Sequence, residues 1–347
     1  MNNKDNLQNK PLVSILCITY NHKNYIRQCL DGFVMQKTNF DFIAYVGDDC
    51  STDGTTEIVK EYEYKYPNII KGIYHSKNTN IIGNYFDVVN ACKSKYVAVC
   101  EGDDYWIDEY KLQKQVDFLE SNPDYAICFH PVKVVYERFD FEKTDEIYPT
   151  QKMIKSGTTF ELLLKTNFIQ TNSVMYRWEF NDKKIEEYFP KDILPGDFYL
   201  HLLHAKEGKI KMLIDVMSVY RRNPSGIWGI DKDERLLKFG FQIINFYYCV
   251  YKNLADYSQR YLYNTFLPAL QEICSVYFHH KQFEQIHIIG KNYAKYLCMI
   301  ISKELDKSIE QKNKANKKYK KYKKLFGIAL YFLILENIFL LVLFFIM

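Results

Sequence analysis

No two of the nine cysteines in this 347-residue chain form a CxxC pair, and their number is odd. This argues against a zinc ribbon or a disulfide framework and fits a reducing cytosol. The sequence has no internal repeat. No secretory signal is read before the first apolar stretch: residues 1–10 are a polar extension, and Pro11 leads directly into a strand-like run. There is no basic stripe of the kind nucleic acid needs. The formal net charge is +4, but residues 312–324 hold eight lysines and no acid, and without them the balance is 4 − 8 = −4. The body is mildly acidic, so no nucleic-acid partner is expected.

The chain does have the composition of a globule, with 48% hydrophobic and 25% charged residues. Over the first hundred residues, strand-like runs at 12–19, 40–46, 69–75 and 96–100 alternate with helical patterns at 25–34, 55–66 and 82–91. In the first of these helices Ile26, Cys29, Leu30 and Phe33 share one stripe. Such alternation predicts parallel βαβ units, helices on both faces, and ligands at the carboxyl ends of the strands. Beyond Asp104 the pattern predicts a helix at 111–120, one long strand at 126–136, a loop at 139–156 and a short helix at 158–165. A strand at 173–176, a helix at 197–206, a strand at 210–219 and an all-helical region at 231–311 complete the reading.

Four clusters carry chemistry. Gly47-Asp48-Asp49-Cys50-Ser51-Thr52-Asp53-Gly54-Thr55 lies where a strand turns into a helix. Its acids suit a base or ribose, although Asp and Thr also cap helices. Glu101-Gly102-Asp103-Asp104 follows a strongly apolar strand. Three acids in four residues repel one another, and they would repel a diphosphate, unless a hard divalent cation bridges carboxylate and phosphate oxygens. A solvated acidic loop is the plainer alternative, but Tyr105 and Trp106 follow at once and suggest a walled pocket. Asp197, after Pro195-Gly196, reads locally as a helix cap. Arg221 and Arg222, before Asn223-Pro224-Ser225-Gly226-Ile227-Trp228, suit phosphate or solvent.

Taken together, these segments resemble family 2 glycosyltransferases, which have the GT-A fold, in particular those of bacterial surface-polysaccharide synthesis. Val13-Ser14-Ile15-Leu16-Cys17-Ile18-Thr19-Tyr20-Asn21 looks like that family's first strand and nucleotide loop. The Gly47–Thr55 segment is similar to its base-recognition loop, Glu101-Gly102-Asp103-Asp104 falls where its DxD metal motif stands, Asp197 where its base stands, and Tyr220-Arg221 through Trp228 where its lid stands.

The resemblance implies an inverting transfer from a nucleotide-diphosphate sugar, a UDP-sugar in the first instance. Thr19, Tyr20, Asn21, Asp48, Asp49, Ser51, Asp103, Arg221, Arg222 and Trp228 would bind the donor. Asp103 and Glu101 would hold Mn²⁺ or Mg²⁺, and Asp197 would act as general base. Two positions depart from the family pattern: Glu101 stands for its first Asp, and Asn223 for the His of many relatives.

Residues 231–311 form the expected helical region, 312–324 a lysine-rich linker, and 325–347 an apolar tail broken by Glu336-Asn337. As a helix the tail would span ~34 Å, enough for a bilayer core. With its basic flank it implies anchoring at the cytoplasmic face of the cell membrane and a saccharide or lipid-linked acceptor. Two rival readings are a nucleotidyltransferase and a catalytically inactive membrane scaffold. The first would usually show a basic, glycine-rich phosphate loop, whereas residues 19–24 offer only Lys23 and no glycine. The second sits badly with Asp103 and Asp197.

Overall fold

Seven β-prone residues, Val13–Thr19, form β1, and all but Ile18 are buried. The βα alternation continues through α1 (Ile26–Val34), β2 (Phe42–Asp48), α2 (Thr55–Lys65), β3 (Ile70–Tyr74), α3 (Asn80–Ala91) and β4 (Tyr96–Val99). Then come β5 (Tyr105–Trp106), α4 (Lys111–Ser121), β6 (Tyr125–Phe129), β7 (Val132–Tyr136), β8 (Glu146–Tyr148) and α5 (Phe160–Leu163). The first unit closes with β9 (Met175–Arg177), α6 (Gly196–Glu207), β10 (Lys209–Met212) and β11 (Ser218–Arg222). This computed structural model describes residues 10–137, 146–155, 157–181, 185–223, 226–256 and 258–312.

The main sheet has seven strands in the order β10-β6-β9-β4-β1-β2-β3. β1 pairs in parallel with β2 and β4, β2 with β3, and β6 with β10, while β9 is antiparallel to both its neighbours. One face of β1 (Val13, Ile15, Cys17) packs on Ile26, Cys29, Leu30 and Phe33 of α1, and Trp106 and Leu112 join the same core. At roughly 25 cal/mol per Å² of apolar surface, burial of that stripe is what keeps α1 on the sheet. Thr19 and Asp48 are register partners at the carboxyl edge, so the first two loops begin side by side.

Three expectations need correction. The single strand at 126–136 is two strands. Pro131 has no N–H for a ladder, and around it the chain leaves the main sheet, β7 joining a second sheet ordered β5-β11-β7-β8. The expected strand at 210–219 divides likewise into β10 and β11, one in each sheet, around an exposed Ile214. The expected loop at 139–156 contains β8, which borders β7.

The chain divides into two compact units between Ile230 and Asp231. The second is helical: α7 (Lys232–Cys249), α8 (Gln259–Tyr261), α9 (Leu267–His279) and α10 (Phe283–Lys312), with π-helical turns at Val250–Leu254 and Leu262–Phe266. Asp231 caps α7, accepting from the Asp233 and Glu234 amides. Among the described residues no helix is long and apolar enough to cross a membrane. The tail at 325–347 lies outside the described residues, as does nearly all of the lysine-rich linker.

Candidate active site

The first two loops are tied together by side chains. The Asn21 amide donates to Ser51 Oγ at 2.9 Å, and Asn21 Oδ1 accepts from the Thr52 amide at 2.9 Å. Asn21 takes φ 54°, a left-handed conformation that Asn tolerates better than most residues. Asp48 is buried and accepts from the hydroxyls of Ser51 and Thr56. Asp49, also buried, accepts from the Thr79 amide at 2.6 Å and hydroxyl at 2.8 Å. Both carboxylates are thus held in place, and Tyr20, just past the end of β1, is exposed.

The acidic loop after β4 packs against the end of β1 through Gly102. A Cβ there would lie 2.6 Å from Thr19 Oγ1 and 3.1 Å from His22 Nδ1. Among the described residues, those two atoms and the Tyr85 hydroxyl are buried without a hydrogen-bond partner. Buried polar groups left unpaired each cost on the order of 1–3 kcal/mol, so a bound group that paired with Thr19 and His22 would recover that cost.

Burial, then the charge of Asp103, then that of Asp197, pushes the Glu101 carboxyl up to about 8. Acids from two distant segments, 101–103 and 197, therefore lie within electrostatic reach of one another. Burial and the Asp103 charge also raise Asp104 well above the usual carboxylate range. Its role is structural: Asp104 Oδ1 accepts from the Arg221 amide at 2.8 Å.

The second sheet braces this loop from the other side. Arg221, 8% exposed, donates to the Asp103 carbonyl at 2.6 Å and to Gln28 Oε1, and pairs with Glu137 at 3.4 Å. Its guanidinium lies 4.3 Å from the Tyr105 ring centre and 5.2 Å from that of Tyr25. Arg221 is therefore committed to protein partners. Arg222 is exposed, over Tyr136 and Tyr220. Asn223, buried, donates from Nδ2 to Asp103 Oδ2 at 3.0 Å. Trp228 is exposed in the turn that follows.

Asp197 lies in the first turn of α6, but the N-cap position is Pro195 and no side chain caps this helix. The plain capping role is thus not the one it has. Its Oδ2 accepts from Thr171 Oγ1 at 2.6 Å. Among the described residues no group of three or more His, Cys, Asp and Glu side chains is arranged to hold a metal by itself.

The sequence profile of glycosyl transferase family 2 matches residues 14–226, well over half of the chain. The chain belongs to glycosyl transferase family 2. An uncharacterised protein of Mycobacterium tuberculosis is 44% identical over 216 residues, 62% of this chain and 60% of the relative. This family 2 chain thus spans less than two thirds of that relative's length. Among solved structures, the mannosyltransferase PcManGT from Pyrobaculum calidifontis, in complex with GDP-Man and Mn²⁺, aligns with TM-score 0.50 at 15% identity, over 90% of this chain and 89% of that one. Staphylococcus aureus TarS in complex with UDP-GlcNAc aligns with TM-score 0.50 at 16% identity, over 76% and 81%. At such identities the likeness speaks for the fold, an α/β GT-A-like sheet with flanking helices.

Several residues of the candidate site were not singled out from the sequence. Thr56, Thr79, Asn84, Gln28, Glu137 and Thr171 lie on elements far apart in the chain. Asn84 donates to the Gly47 carbonyl at 2.9 Å from α3. The one local signal is its polar side chain on an otherwise apolar helix face. Gly102→Ala tests whether the two loops form one site. The new methyl displaces Thr19 and His22, so affinity for a UDP-sugar should fall at least about tenfold for a stability cost of ~1–3 kcal/mol. Thermal shift with donor and urea melts without it measure the two effects. Unchanged donor binding would separate the loops functionally.

Proposed function

We propose that this chain is an inverting glycosyltransferase that moves a sugar from a nucleotide-diphosphate donor, in the first instance a UDP-sugar, to a saccharide or lipid-linked acceptor. The observation that supports this best is that Glu101 and Asp103, in the loop after β4, share one electrostatic neighbourhood with Asp197 in the first turn of α6. Burial first, and then the charges of Asp103 and Asp197, raise Glu101 to about 8, a setting that favours a cation beside Glu101 and Asp103.

A divalent cation fits the residues present. Two carboxylates cannot cage Mn²⁺ or Mg²⁺ alone, but such ions are commonly held by one or two carboxylates plus substrate phosphates. Asp103, with Glu101, would hold it, and when bound it would neutralise charge on the leaving diphosphate. The chain's own groups do the rest. The loops carrying Thr19, Tyr20, Asn21, Asp48, Asp49 and Ser51 receive the nucleoside. Arg222 is the arginine left to reach phosphate, while Arg221 and Asn223 keep the Asp103 loop in place. Asp197 Oδ1 takes the proton of the acceptor hydroxyl as that oxygen attacks the anomeric carbon.

The direct test is release of nucleoside diphosphate from a panel of UDP- and GDP-sugars, with Mn²⁺ and with EDTA. Release that survives EDTA undiminished removes the metal from the scheme, and no release from any donor counts against transfer itself. We further propose membrane attachment through residues 325–347 on the cytoplasmic face, with the lysine run at 312–324 against anionic lipid. Deleting 325–347 should move the protein to the soluble fraction and leave donor hydrolysis intact. Full-length protein that is soluble without detergent would rule the anchor out.

A further inference from the structure

Asp197 Oδ2 receives a hydrogen bond from Thr171 Oγ1 at 2.6 Å, and Oδ1 receives none among the described residues. Thr171 is 6% exposed and belongs to a short 3₁₀ turn, Thr171–Ser173. Four side-chain hydrogen bonds tie this turn down. Asn172 Nδ2 donates to the Val219 carbonyl at 2.8 Å, and Ser218 Oγ donates to Asn172 Oδ1 at 3.1 Å. Trp106 Nε1 donates to the Asn172 carbonyl at 2.9 Å, and Gln115 Nε2 to the Ser173 carbonyl at 2.9 Å. The second sheet and α4 therefore decide where the Thr171 hydroxyl points.

From this we infer that Thr171 is a positioning residue for the general base: it clamps one oxygen of Asp197 so that the other faces the acceptor hydroxyl. The inference rests on the reading of Asp197 as base given above. The physical need is plain. The terminal torsion of an Asp side chain is broad and roughly two-fold, so an unclamped carboxylate samples many orientations. A base that must take a proton during attack loses rate steeply when misplaced by an ångström. Threonine suits the task, because its β-branch restricts χ1 and so holds the hydroxyl steady.

The inference is testable because a clamp acts on orientation: removing the hydroxyl should lower turnover while leaving donor binding in place.

The experiment compares wild type, Thr171→Val, Thr171→Ser and Asp197→Asn in the full chain. The probe is whichever of UDP-glucose, UDP-GlcNAc, UDP-galactose and GDP-mannose stabilises wild type most, with Mn²⁺, following release of nucleoside diphosphate. Thr171→Val should lose about 10–100-fold in kcat with KM for donor within twofold, and Thr171→Ser should recover to within about fivefold of wild type. If Thr171→Val does not fold, Thr171→Ala removes the same hydroxyl from a smaller side chain and takes its place. Turnover above half of wild type in the hydroxyl-less variant overturns the inference. So does a serine variant no better than valine, which would assign Thr171 to packing alone. An inactive Asp197→Asn beside a fully active Thr171→Val sinks the clamp and spares the base. An active Asp197→Asn sinks both.

Discussion

Asp103→Asn should reduce transfer by on the order of 10³ while leaving the melting temperature unchanged or higher. The loss follows from what an amide presents at this position. Asn223 Nδ2 donates to Asp103 Oδ2 at 3.0 Å, so an Asn at 103 will turn its carbonyl oxygen toward Asn223 and leave its NH₂ group in place of the other carboxylate oxygen. A donor cannot ligate a cation, and the negative charge proposed to hold one would be gone. Several kcal/mol of transition-state stabilisation is at stake, at about 1.36 kcal/mol per factor of ten.

Stability behaves in the opposite way because Asp103 repels its neighbours. Its charge helps raise both Glu101 and Asp104. For Glu101 the folded-state value of about 8 lies above its ordinary 4.5, so the folded protein binds more protons than the unfolded chain in that window. Its contribution to stability is therefore full below 4.5 and is lost as pH rises through about 8. Asp103→Asn should flatten this decline. Urea melts between pH 5 and 9 without divalent cation, together with donor turnover in Mn²⁺, check both halves. A variant that keeps a tenth of wild-type turnover would move the metal role away from Asp103.

Asp197→Asn should fold, bind donor and fail to transfer, losing about 10²–10⁴ in kcat. Asn keeps the shape and can still accept from Thr171, but it cannot take a proton. The stability change should stay within ~1 kcal/mol, the scale of losing a negative charge from the first turn of a helix. Loss of repulsion with Glu101 offsets part of that. Because Asp197 makes no cap bond, a large stability loss is not expected on capping grounds either. Single-turnover kinetics beside a donor titration separate the two steps. Retention of more than about a tenth of wild-type kcat would turn attention to Asp192. Glu207 is a poorer substitute, since it ends α6, ten residues and ~15 Å further along the helix.

The βα alternation of residues 12–100 was legible because strand and helix periods differ and both repeat several times there. Strand ends moved by only a few residues: β2 runs on to Asp48, which places that acid on the sheet's edge instead of in the loop. The two split strands were not legible. Around Pro131, and again between Met212 and Ser218, apolar residues continue on both sides of the break, and the change of sheet depends on which strands are available to pair. The site divides along the same line. Acids clustered within a few residues, as at 48–49 and 101–104, announce themselves by their mutual repulsion. Thr171, Gln28, Glu137 and Asn84 are single polar residues whose meaning depends on partners 26 to 193 positions away. No local pattern encodes such partners.

Arg221 shows the same division within one side chain. Two adjacent arginines before a glycine-containing turn identify a cationic strand end, and the sequence says no more than that. The fold separates them: Arg221 is enclosed by Tyr25, Tyr105 and Glu137, and Arg222 faces outward. The sequence by itself determined the α/β class, the strand-end location of the acids and the family-like order of the motifs, because hydrophobic periodicity and charge crowding are properties of short segments. Tertiary structure alone decided which acid is clamped and which is braced: Asp197 meets Thr171, and Asp103 meets Asn223, only after two sheets have brought distant chain segments within hydrogen-bond reach.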